Sequence, residues 1–194
     1  ALRRYFQWQN LIRETHREEI DVVILSHIHQ DHIGGLSGLL ERKGELEVYI
    51  PSSFPNSIRE TIKSHDGKYF DVSEPREIIE GIYSTGELGN IIKEQSLIIN
   101  TNKGLVIITG CAHPGVVNII KQTKKIFPEK EIFLVLGGFH LLSASDSELK
   151  RVINDFEKLG VKKVAPSHCS GDRTRELFKE VYQNNFIKNG VGKS

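Results

Sequence analysis

Several residue types and patterns are scarce in this chain of 194 residues, and each absence narrows what the protein can be. Methionine is absent and the first residue is Ala1, so we expect a fragment, a processed chain or a trimmed one. The two cysteines, Cys111 and Cys169, are too few for a disulfide scaffold and favour a reducing compartment. No apolar run approaches the roughly 20 residues that span a bilayer, and no signal peptide is recognisable. We therefore predict a cytoplasmic protein without a membrane partner.

An excess of charge of either sign is also lacking. The chain has 26 basic and 25 acidic residues, which gives a formal net charge of +1. No long basic run is present that could neutralise successive phosphates of a nucleic acid. Nucleic acid is therefore a disfavoured partner, and we expect a small-molecule substrate. The oligomeric state is left open, with a homo-oligomer as one alternative.

Apolar runs and amphipathic stretches alternate along the chain, and 38% of its residues are hydrophobic, enough for a real core. Short β-branched runs predict strands at 20–25, 46–50, 96–101, 105–109, 132–136 and 163–165. Amphipathic stretches predict helices at 5–19, 36–42, 57–65, 116–126, 145–159 and 173–183. The mixed segment 66–95 predicts short strands and loops. Together these elements predict one α/β domain with a mixed sheet, spanning residues 1–194.

Two local signals support these boundaries. Asn102-Lys103-Gly104 separates two apolar runs and predicts a β-hairpin. Ser145 and Glu148 have the spacing of a capping box, which predicts the start of the helix at 145–159. Gly160 predicts the end of that helix.

The densest chemical signal follows the first predicted strand, in Ser26-His27-Ile28-His29-Gln30-Asp31-His32-Ile33-Gly34-Gly35. Alternate residues of an extended segment point the same way, so His27 and His29 can share one ligand. Asp31 and His32 then face a second position as the chain turns. Imidazole and carboxylate groups suit Zn²⁺, and also iron or manganese. The alternative is that these histidines cluster by chance, but three histidines and one aspartate within six positions argue against it.

Three further histidines follow predicted strands. His113 precedes a predicted helix, so it could cap that helix or bind metal; a two-histidine site that needs a third ligand favours metal. His168 has the same position after the strand at 163–165. His140 lies further past its strand, and it could bind metal, hold substrate or merely pack.

The remaining candidates are ambiguous or structural. Cys111 could bind metal as a thiolate, or fill a tight turn as a small apolar residue. His16 and His65 fall in helical surface patterns, and we predict structural roles for both. Arg173 and Arg175 could meet an anionic group at the start of the last helix, although a solvated helix face is the favoured interpretation.

The run from His27 to His32 matches the HxHxDH signature of the metallo-β-lactamase superfamily. Three more motifs resemble one branch, the dihydropterin-ribofuranosyl-aminobenzene phosphate synthases: Gly110-Cys111-Ala112-His113, Gly137-Gly138-Phe139-His140-Leu141 and His168-Cys169-Ser170-Gly171. The resemblance covers about residues 20–181. It implies an αββα sandwich of mixed sheets with metals at one edge.

Carried over to this chain, the resemblance implies two divalent metal ions, Zn²⁺ first, with iron, manganese or magnesium as alternatives. One ion would be held by His27, His29 and His113. The other would be held by Asp31, His32 and His168. Asp31 and His140 are the candidate catalytic residues, and Cys111 is a further candidate ligand.

The chain departs from the superfamily in three places. Cys111 replaces the usual aspartate after Thr109-Gly110, and no histidine stands between His65 and His113 where one is usual. The N-terminal strands with a Phe-Asp-x-Gly turn are also missing, so we expect an N-terminally incomplete sandwich whose sheet edge is exposed or covered by a partner.

Three functions compete at this point. The synthase branch would join a pterin diphosphate to an aryl ribosyl phosphate, and the metals would neutralise the diphosphate. The same centre could activate water to hydrolyse a small ester, lactone, thioester or phosphoester. The presence of Cys111 in place of the aspartate and the missing N-terminal strands favour a third hypothesis, a non-catalytic metal-binding or sensing relative. A nuclease is disfavoured because the net charge is close to zero and no basic run is present to line a nucleic-acid groove. We expect the substrate pocket largely within 52–95.

Overall fold

The computed structural model describes residues 20–190, and the helix predicted at 5–19 lies outside them, as does His16. Two β-sheets lie between two sets of helices in this part of the chain. This is the αββα sandwich that the motifs predict. Within residues 20–190, no helix has the length and apolar character needed to cross a membrane.

The first sheet has three parallel strands in the order β1-β2-β3. The strands are β1 Val22–Ile24, β2 Glu47–Pro51 and β3 Lys68–Val72. The helices between them are α1 Gln30–Ile33, α2 Leu36–Lys43 and α3 Asn56–Lys63. Parallel neighbours need such crossover connections, and their helices cover one face of the sheet.

The second sheet has six strands in sequence order. They are β4 Arg76–Ile79, β5 Ile82–Ser84, β6 Leu97–Thr101, β7 Gly104–Thr109, β8 Ile132–Gly138 and β9 Lys163–Ser167. Strands β4 to β7 pair antiparallel, whereas β7, β8 and β9 pair parallel. The parallel part is connected by α4 Val116–Ile126 and α5 Asp146–Lys158, and α6 Asp172–Tyr182 follows β9.

Alternation along the strands divides the buried side chains among three clusters. In β2, Val48 and Ile50 pack with the helices of the first sheet, whereas Tyr49 between them points to the opposite face. There Tyr49 packs with Ile78 of the second sheet and stacks on Phe70, with ring centroids 4.7 Å apart. Period-two alternation therefore gives each sheet one face against helices and one against the other sheet.

The largest cluster lies under the helices of the second sheet. Phe156 of α5 is fully buried, with ring centroids 5.5 Å from Phe139 and 5.2 Å from Phe178. This cluster holds α4, α5 and α6 against strands β7, β8 and β9. It gives a rigid base to the loops that leave these three strands.

Most predicted elements are present, with shifts at their ends. The hairpin is confirmed, with Thr101 paired to Gly104 around a two-residue turn. The capping box is also confirmed, since the Ser145 hydroxyl accepts from the backbone N–H of Glu148. The first strand is shorter than the predicted 20–25. Strands β8 and β9 run on to Gly138 and Ser167, because Gly137 and Gly138 stay paired with β9.

Candidate metal centre

The candidate site lies where loops from both sheets meet. The loop after β1 carries the run from Ser26 to His32, and the loop after β7 carries Gly110 to His113. The turns after β8 and β9 carry His140 and His168. Strands β7, β8 and β9 are parallel, so their carboxyl ends lie at one edge of the sheet. Ligand sites of α/β sheets form at this edge.

The first group of metal donors contains His27, His29 and His113, whose ligand atoms all lie within 4.8 Å of one another. The Nε2 atom of His27 lies 3.2 Å from Nδ1 of His29. The Nε2 atom of His113 is buried and has no hydrogen-bond partner within residues 20–190. A buried ring nitrogen without a partner costs free energy, and a metal ion would satisfy it. The three residues therefore fit a metal ion of the kind that the motif implies.

The electrostatics of the cluster favour neutral imidazole rings, which is the form that binds metal. Burial, assisted by the neighbouring rings of His32, His113 and His29, lowers the pKa of His27 to about 3. Burial also lowers the pKa of His32 and, together with His140, that of His113. The rings of His27, His32 and His113 are therefore neutral at neutral pH and can bind a cation without first losing a proton.

The second group of donors contains Asp31, His32 and His168, also within 4.8 Å of one another. The Oδ2 atom of Asp31 lies 3.1 Å from Nε2 of His168 and 3.5 Å from Nε2 of His32. Burial raises the pKa of Asp31, but its backbone N–H and the two histidines outweigh burial and lower it. Asp31 is therefore an ionised oxygen donor at neutral pH.

Sulfur donors lie beside both groups. The Sγ atom of Cys111 is 3.3 Å from Nε2 of His32 and 3.6 Å from Nδ1 of His168. Two more sets of close donors contain it, one with His27 and His32 and one with His168 and Cys169. The Cys111 thiol, which stands where the superfamily usually has an aspartate, thus lies within reach of donors from both groups. Cys169 was missed by the sequence analysis, although it directly follows His168 in a motif already singled out.

Ser26 contacts one histidine of each donor group and lies directly against Gly110. The Ser26 Oγ atom lies 3.0 Å from Nδ1 of His27 and 3.4 Å from Nδ1 of His32, so it orients both rings. A Cβ atom at Gly110 would overlap Ser26 Oγ and would lie 3.0 Å from the Glu94 carboxylate. This close approach of two loops explains the glycine. Gly34 and Gly35 form the turn between α1 and α2, and a Cβ atom at Gly34 would lie 2.6 Å from the carbonyl oxygen of Gln30.

Replacing Gly110 by alanine is expected to weaken metal binding at least about tenfold, because outer-shell changes displace ligands. The free energy of unfolding should fall by about 1–3 kcal/mol through overpacking. Chelator competition and urea unfolding measure the two effects. Gly38→Ala is the matched control, since no atom lies within 4 Å of its added Cβ. Equal metal affinities of the two variants would show that this close approach does not shape the site.

A buried carboxylate, Glu94, was also missed. It lies before β6 with 1% of its surface exposed, and it accepts hydrogen bonds from the backbone of the loop that carries Cys111 and His113. The sequence gives no periodic signal for it, because Lys93-Glu94-Gln95 resembles an ordinary polar loop. Only the packing of this segment against the loop after β7 reveals its position.

A cavity of about 600 Å³ opens beside the first group of donors. His113 and His140 lie at its wall, with ring centroids 4.3 Å apart. The cavity lies between α4 and α5, and its polar lining includes Asn118, Lys121, Ser143, Glu148, Arg151 and Asp155. This cavity is formed by residues from 112 to 155, not by the segment 52–95 in which we expected the pocket. His140 belongs to none of the donor groups found within residues 20–190.

The other basic candidates lie outside the donor groups. Arg173 is paired with Asp146 and Glu176, and Arg175 is paired with Asp172, as expected for a solvated helix face. His65 lies just after the C-terminal end of α3, and its Nδ1 atom lies 2.9 Å from the carbonyl oxygen of Thr61. These three residues are therefore not part of the candidate site.

Comparisons with known proteins identify the family of this chain. The profile of the metallo-β-lactamase superfamily matches residues 5–122. The chain is 29% identical to the 7,8-dihydropterin-6-methyl-4-(β-D-ribofuranosyl)-aminobenzene-5'-phosphate synthase of Methanocaldococcus jannaschii, over 91% of this chain and 75% of that protein. It is 30% identical to an uncharacterized protein of the same archaeon, over 95% of this chain and 82% of that protein.

Solved structures show the same fold. A metal-dependent hydrolase of the β-lactamase superfamily superposes with a TM-score of 0.74 at 27% identity, over 88% of this chain and 77% of that one. The metallo-β-lactamase fold protein YhfI of Bacillus subtilis superposes with a TM-score of 0.65 at 15% identity, over 95% and 82% of the two chains. The chain thus belongs to the metallo-β-lactamase superfamily and is related within it to the dihydropterin-ribofuranosyl-aminobenzene phosphate synthases.

Proposed function

We propose that this protein is an enzyme that uses two divalent metal ions, Zn²⁺ first, to join a pterin diphosphate to an aryl ribosyl phosphate with release of diphosphate. The observation that carries the proposal is the meeting of two three-residue donor groups at one edge of the sandwich. The synthase of Methanocaldococcus jannaschii supports the transfer reaction, because its sequence is related over 91% of this chain.

In this proposal, each donor group has its own metal ion. His27, His29 and His113 would hold one ion, and Asp31, His32 and His168 the other, with Cys111 as a further donor. When bound, such ions neutralise the charge of a diphosphate leaving group or provide activated water. Donors of nitrogen, oxygen and sulfur favour Zn²⁺ or iron over magnesium, which prefers oxygen alone.

The cavity beside His113 is where we place the substrate. Its lining has two cations from facing helices, Lys121 and Arg151, which can contact the phosphate of a phosphorylated substrate. Two carboxylates of the same lining, Glu148 and Asp155, balance their charge. His140 is exposed at the wall, so its imidazole can hold the substrate or transfer a proton at a ring nitrogen. The apolar lining, including Val116, Leu141 and Val152, suits an aromatic ring.

Hydrolysis of a small ester, lactone or phosphoester is the second candidate. The metal-dependent hydrolase described above supports hydrolysis, because it shares the fold of this chain with a TM-score of 0.74 and is 27% identical to it in sequence. Both candidates use the same donors, and they differ in whether water or an aryl acceptor replaces the leaving group.

Product analysis separates the two reactions. The metal-loaded protein is incubated with the pterin diphosphate, with and without the aryl ribosyl phosphate, and diphosphate release is measured. Release that requires the acceptor supports transfer, whereas release without it supports hydrolysis. His29→Ala serves as the site-defective control. A full-length protein with bound metal but no turnover of these substrates or of an ester panel would favour a binding or sensing role.

A further inference from the structure

The Glu94 carboxylate accepts hydrogen bonds from four consecutive backbone N–H groups of the loop after β7. Oε1 of Glu94 accepts from the N–H groups of Gly110, Cys111 and Ala112, at 3.1, 3.0 and 2.9 Å. Oε2 accepts from the N–H of His113 at 2.9 Å. The side chain is fully buried, so these hydrogen bonds have no competition from solvent.

The backbone of this loop requires such a partner. Between β7 and α4 the chain turns through Ala112, which has a left-handed φ of 62° although it is not glycine. Successive N–H groups in such a turn converge on one point and form an anion-binding concavity. Buried N–H groups without an acceptor are costly, and a non-glycine residue in this region is strained. The Glu94 carboxylate therefore stabilises a conformation that the loop sequence alone disfavours.

The same carboxylate also faces a residue of the first donor group from the other loop. Its Oε2 atom lies 3.9 Å from Nδ1 of His27, whose Nε2 atom points toward His29. At this distance the contact is electrostatic and not a hydrogen bond, since Ser26 Oγ lies 3.0 Å from the same nitrogen. The segment of Glu94 is tied to the His27 loop by its neighbour Gln95, whose backbone N–H donates to the carbonyl oxygen of Ser26 at 2.9 Å. Glu94 thus lies behind His27 and holds the backbone of His113, although these two residues are distant in sequence.

We propose that Glu94 is the positioning residue of the metal centre, which sets the spacing between the loop of His27 and the loop of Cys111 and His113. The proposal rests on the metal binding proposed above. It assigns Glu94 no bond to a metal, because both of its oxygens are directed at backbone N–H groups. Its consequence is that the donor geometry exists before any ion binds.

The first test replaces Glu94 by glutamine, which keeps the shape but puts an NH₂ group where an N–H donor needs an acceptor. Zn²⁺ affinity, measured by chelator competition on the folded protein, is expected to fall about 10–100-fold. Glu94→Asp keeps the charge but is too short to reach both ends of the loop, so it should give an intermediate loss.

Glu87→Gln is the matched control. The Glu87 side chain is also largely buried and accepts a backbone N–H, from Ser53 at 2.6 Å, but it belongs to no donor group found in residues 20–190. We expect wild-type Zn²⁺ affinity for this variant. Wild-type affinity in Glu94→Gln as well would overturn the proposal. Failure of the wild-type protein itself to bind Zn²⁺ would instead overturn the proposed function.

A second measurement needs no variant and therefore holds even if Glu94→Gln does not fold. Amide hydrogen exchange of the metal-free wild-type protein should show strong protection at Cys111, Ala112 and His113, comparable to strand β7 and independent of added Zn²⁺. Rapid exchange at these amides without metal, followed by protection on adding Zn²⁺, would show that the ion and not Glu94 orders the loop.

Discussion

Replacing His113 by alanine is expected to remove about one of two bound metal equivalents and to lower turnover by about 10³-fold or more. The ring supplies one of three nitrogens of the first group, and its buried Nε2 atom has no other partner within residues 20–190. Loss of a direct ligand should exceed the roughly 10–100-fold effect of outer residues on metal affinity. Elemental analysis and the diphosphate-release assay measure the two quantities.

His65→Ala is the control for this variant. His65 contacts the end of α3 and lies in none of the donor groups found between residues 20 and 190, so its removal should leave metal content and turnover unchanged. Equal metal content in the two variants would mean that His113 binds no metal ion.

The second large effect is expected at Asp31. Asp31→Ala removes the carboxylate of the second group, and it should lower the metal content by about one equivalent and turnover by about 10²–10⁴-fold. The reason is that His32 and His168 would lose the anionic donor, at 3.5 and 3.1 Å from their Nε2 atoms, that offsets the charge of a cation. Metal analysis before and after dialysis measures the loss.

Asp21→Ala provides the comparison for a carboxylate outside the site. Asp21 is exposed and paired with Lys43 at 2.8 Å, and such surface pairs contribute about 1 kcal/mol or less. Metal content should therefore be that of the wild-type protein. If Asp31→Ala retains both equivalents, then Cys111 and the two histidines hold the second ion without it.

The fold was predictable wherever local patterns are strong. Helix α4 has the predicted bounds, and the capping box at Ser145 and the hairpin at Thr101–Gly104 follow from short signals. The ends of β8 and β9 were missed because Gly137 and Gly138 have low strand propensity. Pairing with Pro166 and Ser167 keeps them extended, and sequence windows do not contain such tertiary information.

The candidate site divides in the same way. His27 and His29, and likewise Asp31 and His32, fall in the two groups to which their spacing and resemblance assign them. Glu94 was missed because its role depends on contacts with residues 16 to 19 positions away in sequence. The cavity beside His113 was not predicted, because it lies between two helices whose pairing no local pattern specifies.

Elemental analysis of the purified wild-type protein, with the His29→Ala variant measured in parallel, tests directly whether the cluster is a metal centre. We expect about two equivalents of divalent metal in the wild-type protein, mainly zinc, and a clear loss in the variant. Negligible metal in both proteins, even after reconstitution with Zn²⁺, would contradict this expectation. The histidine cluster would then be a structural remnant of the superfamily and not a metal centre.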